Sequence, residues 1–300
     1  MQYMFQYPDL HGADHDMLDA GTVPELALAA ERFGWDGLSF TEHPAPGAKW
    51  LAAGGHQTID PFIALGAAAA VTSRIKLLTY LAVAPYRNPL MLAKAATTVD
   101  RLSNGRFILG LGTGYLKSEF FALGTDFEER NLLFDETLDV LPMHWSGEQF
   151  SYTGKHFNAR DIMARPRPIQ NPIPIWIGGN AAITMRRVAS RAQGWMPLLG
   201  PPSMAATVRT PFIDSLAGVA DRVRALRELT ADSGEPLDIA VPYMVDSLDD
   251  VEANAERHRD HLGQLAELGA TWTIVTGPWA PAPAATEFLE AFTSLCLGGR

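Results

Sequence analysis

The triplet Thr41-Glu42-His43 follows the β-type run DGLSF (36–40) and opens into PAPGAKWLAAGGH, too polar and glycine-rich for a core. A histidine at such a strand end can donate to a ligand or exchange a proton near neutral pH, and Glu42 sets a carboxylate beside it. A structural hydrogen bond beneath the loop is the plainer role for His43. A second group is built on glycine. Gly178-Gly179-Asn180 leads straight from an apolar run into a helical one. Free backbone N–H groups and the positive helix end would face outward there, which suits a phosphate. A tight βα turn without a ligand is the equal alternative. Gly112-Thr113-Gly114-Tyr115 closes another strand-like run, GLGTG, which resembles a dinucleotide fingerprint. It lies far from the N-terminal βαβ unit and lacks the acidic residue at the usual interval, so that role is rejected. Thr79-Tyr80, Tyr86-Arg87-Asn88 and Thr276-Gly277 also fall at strand ends.

Other polar residues carry less. His11 and His15 are spaced i, i+4, but Gly12 and the nearby aspartates mark a loop, not a helix that could present a metal pair. His258 shares an apolar stripe with Val251, Ala255, Leu262 and Leu265, which predicts a core-facing residue, with His261 its solvated neighbour. His144 and His156 lie in an inserted segment, where His156 either overhangs the mouth or, more simply, faces solvent. No His/Asp/Glu set has metal-ligand spacing, so no metal is expected. Glu31-Arg32 and Glu128-Glu129-Arg130 read as solvated helix faces. Trp50, Trp195 and Trp279 sit near strand ends, where an indole stacks on an aromatic ligand or packs between helix and barrel.

The elements that position these residues alternate regularly. Strand-like runs occupy 2–6, 36–40, 75–83, 106–112, 173–179, 194–199, 237–244 and 271–277, with room for a helix after each. Thr22-Val-Pro-Glu25 is a capping box with proline in the first turn, and Asp60-Pro61 and Asn88-Pro89 open further helices. Asn180 and Ser247 are expected to cap the helices after the fifth and seventh strands. Eight βα units predict a (β/α)₈ TIM barrel, α/β in class, with an open doubly wound sheet as the alternative. Between strands 4 and 5 lies an insertion: a helix near 128–145, a hairpin-like GEQFSYTGKHFNAR and the return ARPRPIQNPIP. With no repeat and no linker, residues 1–300 are expected to form a single domain.

The chain has 300 residues, 47% hydrophobic and 19% charged, enough for a sizeable core. The formal charge of −10, with no Lys/Arg cluster, argues against a nucleic-acid partner. The single cysteine, Cys296, and the lack of a readable signal segment suit a cytoplasmic protein, and no apolar run is long enough for a membrane.

Together, FGWDGLSFTEHP, RIKLLTYLAVAPYRNPLMLAKAATTVDRLSNGRFILGLGTGY and PIPIWIGGN closely resemble the bacterial luciferase-like superfamily, most of all its deazaflavin (coenzyme F420)-dependent oxidoreductase branch. The resemblance is strong from about residue 25 to residue 200. It implies a cofactor with its ring over the barrel mouth and its phosphate near Gly178, Gly179 and Asn180. It further implies a bulged third strand with a non-prolyl cis peptide, by position Thr79-Tyr80. Asn88, Gly112, Thr113 and Gly114 complete the expected cofactor contacts. His43 matches the family's mouth histidine and Glu42 an often acidic position; with Tyr115 these are the expected catalytic residues. Tyr115 stands where some deazaflavin enzymes have a glutamate, and a long loop after the seventh strand is missing, which sets light emission aside. The implied activity is hydride transfer between the deazaflavin C5 and a small activated alkene, imine, carbonyl or alcohol. The alternatives are an FMN-dependent monooxygenase, whose discrimination would rest on Lys49, Arg87 and Lys117 as contacts for the longer F420 tail, and a cofactor-free binding barrel. A homodimer is implied by resemblance alone.

Overall fold

The computed structural model describes residues 1–11, 15–200, 202, 207–231, 236–245 and 248–298. In chain order its elements are β1 (Gln2–Gln6), α1 (Val23–Arg32), β2 (Gly37–Phe40), α2 (Ala48–Ala52), α3 (Pro61–Val71), β3 (Lys76–Thr79), β4 (Ala82–Val83), α4 (Pro89–Leu102), β5 (Phe107–Gly112), α5 (Lys117–Ala122) and α6 (Arg130–Ser146). They continue with β6 (Gln149–Thr153), β7 (Asn158–Met163), β8 (Ile175–Gly178), α7 (Ala182–Arg191), β9 (Gly194–Met196), α8 (Leu216–Leu229), β10 (Asp238–Pro242), α9 (Ala255–Glu267), β11 (Trp272–Thr276) and α10 (Ala284–Cys296).

The parallel strands run β3-β2-β1-β11-β10-β9-β8-β5, and β3 pairs with β5 to close the ring. The fold is therefore the (β/α)₈ barrel, and each expected strand-like run supplies one barrel strand. Buried on both sides, such strands read as nearly continuous apolar runs. The barrel interior is filled by Met4, Leu78, Ile108, Trp176, Met196, Ala240, Trp272 and Ile274, with Tyr80 and Leu81 packed on top. A larger core of helix-facing side chains surrounds the strands. The segment between β5 and β8, the fourth and fifth barrel strands, holds α5, α6 and the antiparallel β6–β7 hairpin.

Local sequence explains the helix starts. Thr22 and Glu25 form the capping box of α1, Asp60 accepts from Phe62 and Ile63 N–H at α3, and Asn88 accepts from Leu90 N–H at α4. Asn180 does not cap α7. Its neighbour Ala181 holds the N-cap position with no side-chain bond, because the Asn180 amide is drawn into the loop after β9. Ser247 and Gly12 lie outside the described residues, and α9 begins at Ala255. His258 is fully buried as expected, but His261 is half-buried, not solvated, and His156 is held at 3.0 Å from Glu129. Glu31 is no bare solvated face either: its carboxylate collects the N–H groups of Ser73, Arg74 and Ile75.

Candidate active site

The mouth is built on an interruption of the third barrel strand. The run 75–83 is not one strand but β3 and β4, separated by a cis Tyr80-Leu81 peptide bond. This lies one residue beyond the expected Thr79-Tyr80. Thr79 is fully buried, with its hydroxyl donating to Gly110 O (2.8 Å) and accepting from Gly110 N–H (2.9 Å), so it joins β3 to β5. Leu81 is seated between two glycines. A Cβ on Gly112 would overlap Leu81 Cδ1, and one on Gly178 would overlap Leu81 Cδ2. The glycines expected to admit a ligand's backbone approach thus also make room for the residue that floors the mouth.

His43 stands above that floor. Its Nδ1 lies 3.2 Å from Glu119 Oε2, and Nε2 lies 3.4 Å from the Tyr115 hydroxyl. Its backbone is clamped through Thr58, which accepts from His43 N–H (2.9 Å) and donates to His43 O (3.1 Å). Glu119 is fully buried and gathers further donors: the Tyr86 hydroxyl (2.8 Å) and the Ala45 N–H (3.2 Å). A carboxylate that accepts from three directions fixes the proton of His43 on Nδ1 and leaves the Nε2 lone pair toward Tyr115. Burial and Glu119 push Tyr115 up to about 12 and raise Tyr86 well above its ordinary range, so both stay hydroxyl donors. Around the imidazole stand Trp50 (ring centroids 4.5 Å apart) and His56 (5.2 Å). His56 is pushed down to about 3 by burial and by the neighbouring imidazoles of His43 and His11, and stays neutral.

Glu42 points elsewhere. One oxygen accepts from Val83 N–H (2.7 Å) and the other is ion-paired with Arg87, which also reaches Asp60 at 3.4 Å. Arg87 is therefore already engaged. Lys49 is exposed on α2, and Lys117 pairs with Glu128 at 3.0 Å. Asn88 spends its amide oxygen on capping α4.

At the fifth strand, Gly179 takes φ of +115°, which favours glycine. Its N–H donates to Met196 O (3.0 Å), its carbonyl accepts from the Trp195 indole (2.8 Å), and Asn180 N–H donates to Thr210 Oγ1 (2.9 Å). These two N–H groups are thus taken, and the uncapped first turn of α7 presents the next ones. Gly114, at φ +76°, lets Tyr115 turn back toward His43. Trp50 lies against the site, whereas Trp195 is fully buried and Trp279 donates to Met17 O (3.3 Å).

Two mouth residues carry weight that the sequence did not reveal. Glu119 looks like any acid in KSEFF, although its place one helical turn after Tyr115 is a usable signal. Asp9, beyond the end of β1, accepts from Gln6 Nε2 (2.7 Å), and burial pushes it up to about 7, against hydrogen bonds from Gln6 and Thr41. Among the described residues no group of three or more His, Cys, Asp or Glu could hold a metal ion, and no helix is long and apolar enough to cross a membrane.

With this geometry in hand, comparison with known proteins is direct. The family model for luciferase-like monooxygenases matches residues 3–294, and the chain belongs to that family. An uncharacterized protein of Mycobacterium tuberculosis is 31% identical over 235 residues, 78% of this chain and 75% of that one. An F420-dependent glucose-6-phosphate dehydrogenase of Segniliparus rotundus is 30% identical over 191 residues, 61% of this chain and 55% of that one. Among solved structures, the monooxygenase RslO1 of Streptomyces bottropensis superposes with a TM-score of 0.79 at 20% identity, covering 99% of each chain.

Proposed function

We propose that this chain is an F420-dependent oxidoreductase that transfers a hydride between the deazaflavin C5 and a small organic alcohol, carbonyl, imine or activated alkene. The observation that carries it is the relay from buried Glu119 through His43 to Tyr115 at the barrel mouth, above the cis Tyr80-Leu81 floor. The F420-dependent relative supports the choice of cofactor. The residues present fit such a group. The first turn of α7 has no side-chain cap, so the N–H groups of Ala181, Ala182 and Ile183, beyond Gly178 and Gly179, would hold a phosphate, and Tyr80 and Leu81 would back the ring.

When bound, the cofactor supplies the carbon that accepts or releases the hydride. For an alcohol substrate, His43 Nε2 takes the hydroxyl proton while Glu119 holds the Nδ1 proton and steadies the imidazolium. Tyr115 donates to the substrate oxygen. Glu42 is a positioning residue: it anchors Val83 N–H and Arg87 and so braces the segment after the cis bond. Thr79, Asn88, Gly112 and Asn180 serve as scaffold, while Thr113 and Gly114 shape the turn that aims Tyr115. The test is equilibrium binding of F420 and of FMN to the purified protein, followed by fluorescence. Tighter binding of F420 is expected; a clear preference for FMN would overturn the assignment in favour of an oxygen-using monooxygenase.

The lone thiol, Cys296, is buried, which suits the reducing cytoplasm to which we assign the protein. We also infer a homodimer across α3. That helix is apolar on every side, burying Phe62, Leu65 and Ala68 inward while Ile63 is 75% exposed. Sedimentation of the wild type as a monomer at all concentrations would rule this out.

A further inference from the structure

Three cations meet at one ring on the rim of the mouth. Around buried Phe127, the Arg130 guanidinium carbon lies 3.9 Å from the ring centroid, Lys117 Nζ 4.8 Å and the Arg209 guanidinium carbon 4.9 Å. The carboxylate set against them is Glu128, 3.0 Å from Lys117 and 3.9 Å from Arg130. Asp126, which accepts from Glu128 N–H (2.9 Å), adds a second negative charge, while Glu129 is paired with Lys155 (2.7 Å) and His156 (3.0 Å), so three cations face two carboxylates. Burial, together with the like charge of Arg209, holds Arg130 below the usual guanidinium range, with Glu128 opposing. On a chain of net charge −10, such a local excess of positive charge is a place prepared for an anion.

Its position says which anion. In the barrel order β8 lies between β5 and β9. Lys117 and Arg130 come from the segment after β5, and Arg209 from the segment after β9, so the two segments that meet at Phe127 are those bordering the turn at Gly178-Gly179-Asn180 in the ring. Arg209 directly precedes Thr210, whose hydroxyl accepts from Asn180 N–H at 2.9 Å. Lys117 is 54% exposed and Arg130 20%, an open edge suited to a flexible charged chain and not to an enclosed ring.

We infer that Lys117, Arg130 and Arg209 form the subsite for the acidic tail that F420 carries beyond its phosphate, and thereby select F420 over FMN, whose chain ends at the phosphate. The assignment rests on the deazaflavin function proposed above. It replaces Lys49, which follows β2 and so lies away from β8 in the ring, and Arg87, which is held by both Glu42 and Asp60, and keeps only Lys117 from the cations expected to make this discrimination.

The experiment measures fluorescence quenching of F420 and of 7,8-didemethyl-8-hydroxy-5-deazariboflavin (5-deazariboflavin below), which has the F420 ring and sugar chain but neither phosphate nor tail. Wild type is compared with R130Q/R209Q, with K117Q, and with the charge-preserving R130K/R209K. The double glutamine variant should bind F420 about tenfold more weakly. K117Q should lose less, R130K/R209K should bind nearly as wild type, and 5-deazariboflavin should not distinguish any of them. Raised salt should weaken F420 and leave 5-deazariboflavin unchanged. Unchanged F420 affinity in R130Q/R209Q overturns the inference, as does an equal loss for both ligands. If wild type binds 5-deazariboflavin but F420 no tighter, the tail subsite falls together with the phosphate seat at α7, and the ring site stands. If it binds neither, the deazaflavin assignment falls with it.

Discussion

Glu119 Oε2 lies 3.2 Å from His43 Nδ1 and 2.8 Å from the Tyr86 hydroxyl, so one fully buried carboxylate fixes groups from two other βα loops. Replacing it with the isosteric glutamine removes the charge that would steady an imidazolium and leaves one acceptor oxygen where two now serve His43, Tyr86 and Ala45. E119Q should lower kcat by about a hundredfold or more while KM changes little. Y86F, which deletes one donor to the same carboxylate, should cost about tenfold. Steady-state kinetics with the loaded enzyme decide: wild-type kcat in E119Q would leave His43 without its proposed partner.

The floor of the mouth makes a sharper structural prediction. Leu81 is confined by Gly112 on one side and Gly178 on the other, so neither can gain a methyl without overpacking. G112A and G178A should each lose about 1–3 kcal/mol. Shortening Leu81 to alanine in the same chain should return part of that loss, since the partners share one space. Gly110 has no such remedy, because its added Cβ would meet the Thr79 carbonyl oxygen of the backbone. Chemical denaturation of the single and double variants separates these outcomes; additive losses in G178A/L81A would refute the shared seat.

These cases also mark what the sequence could and could not reveal. Every barrel strand was legible because parallel strands buried on both faces leave apolar runs between helix starts such as Asp60-Pro61 and Asn88-Pro89. His43 was legible as a polar residue at a strand end. The split at Tyr80-Leu81 was expected only by resemblance, since TYLAV reads as uninterrupted strand. Glu119 was hidden because its meaning depends on His43, 76 positions earlier, and the closed barrel alone brings them together. Asn180 misled for a related reason. Its position fits a cap, yet its amide oxygen accepts from Leu198 N–H (3.0 Å) while its amide N–H groups donate to Leu198 O and Pro211 O (2.7 and 2.8 Å), so nothing is left for the helix. Glu31 likewise serves a loop packed beside its helix, not solvent.

The Glu42–Arg87 pair should act mainly through stability. The Glu42 side chain is 2% exposed and that of Arg87 22%, so removing either leaves a desolvated charge facing the mouth. Either E42A or R87M should lose up to about 3 kcal/mol. The double variant E42A/R87M should lose less than the two singles combined. A thermal shift series reads this directly, and equal melting temperatures for wild type and R87M would show the pair to be idle.

Asp9 should impose a pH dependence of unusual sign for an aspartate. Its carboxyl is raised from an ordinary 3.8 to about 7 in the folded state, chiefly by burial. The native chain then holds a proton that the unfolded chain releases, so the Asp9 contribution is full below about 4 and lost as pH rises to about 7. His56 and His144, held down to about 3 and about 4 by burial, slope the other way over the acid range. The wild-type profile is thus a sum, and the difference from D9N isolates Asp9. D9N should gain stability relative to wild type as pH climbs from about 4 to about 7, by at most a few kcal/mol. A pH-independent difference would dismiss the raised carboxyl.

Trp50 should govern how substrate meets His43. Its indole lies 4.5 Å from the imidazole centroid and 5.4 Å from that of His56, and a Cβ on Gly55 would overlap the six-membered part of the indole. A rigid bicyclic ring cannot yield as the end of an aliphatic chain can, so G55A must displace the indole or its loop. Because Trp50 lies on α2 and not in the Glu119–His43–Tyr115 relay, its loss should weaken substrate binding more than the chemical step. W50A is expected to raise KM about tenfold with kcat within a few-fold of wild type, W50F to do so less, and G55A to resemble W50A. Glu119 and His43 keep their contact in all three, so the pH dependence of kcat should be unaltered. A fall in kcat without a rise in KM would instead assign Trp50 to support of the imidazole itself.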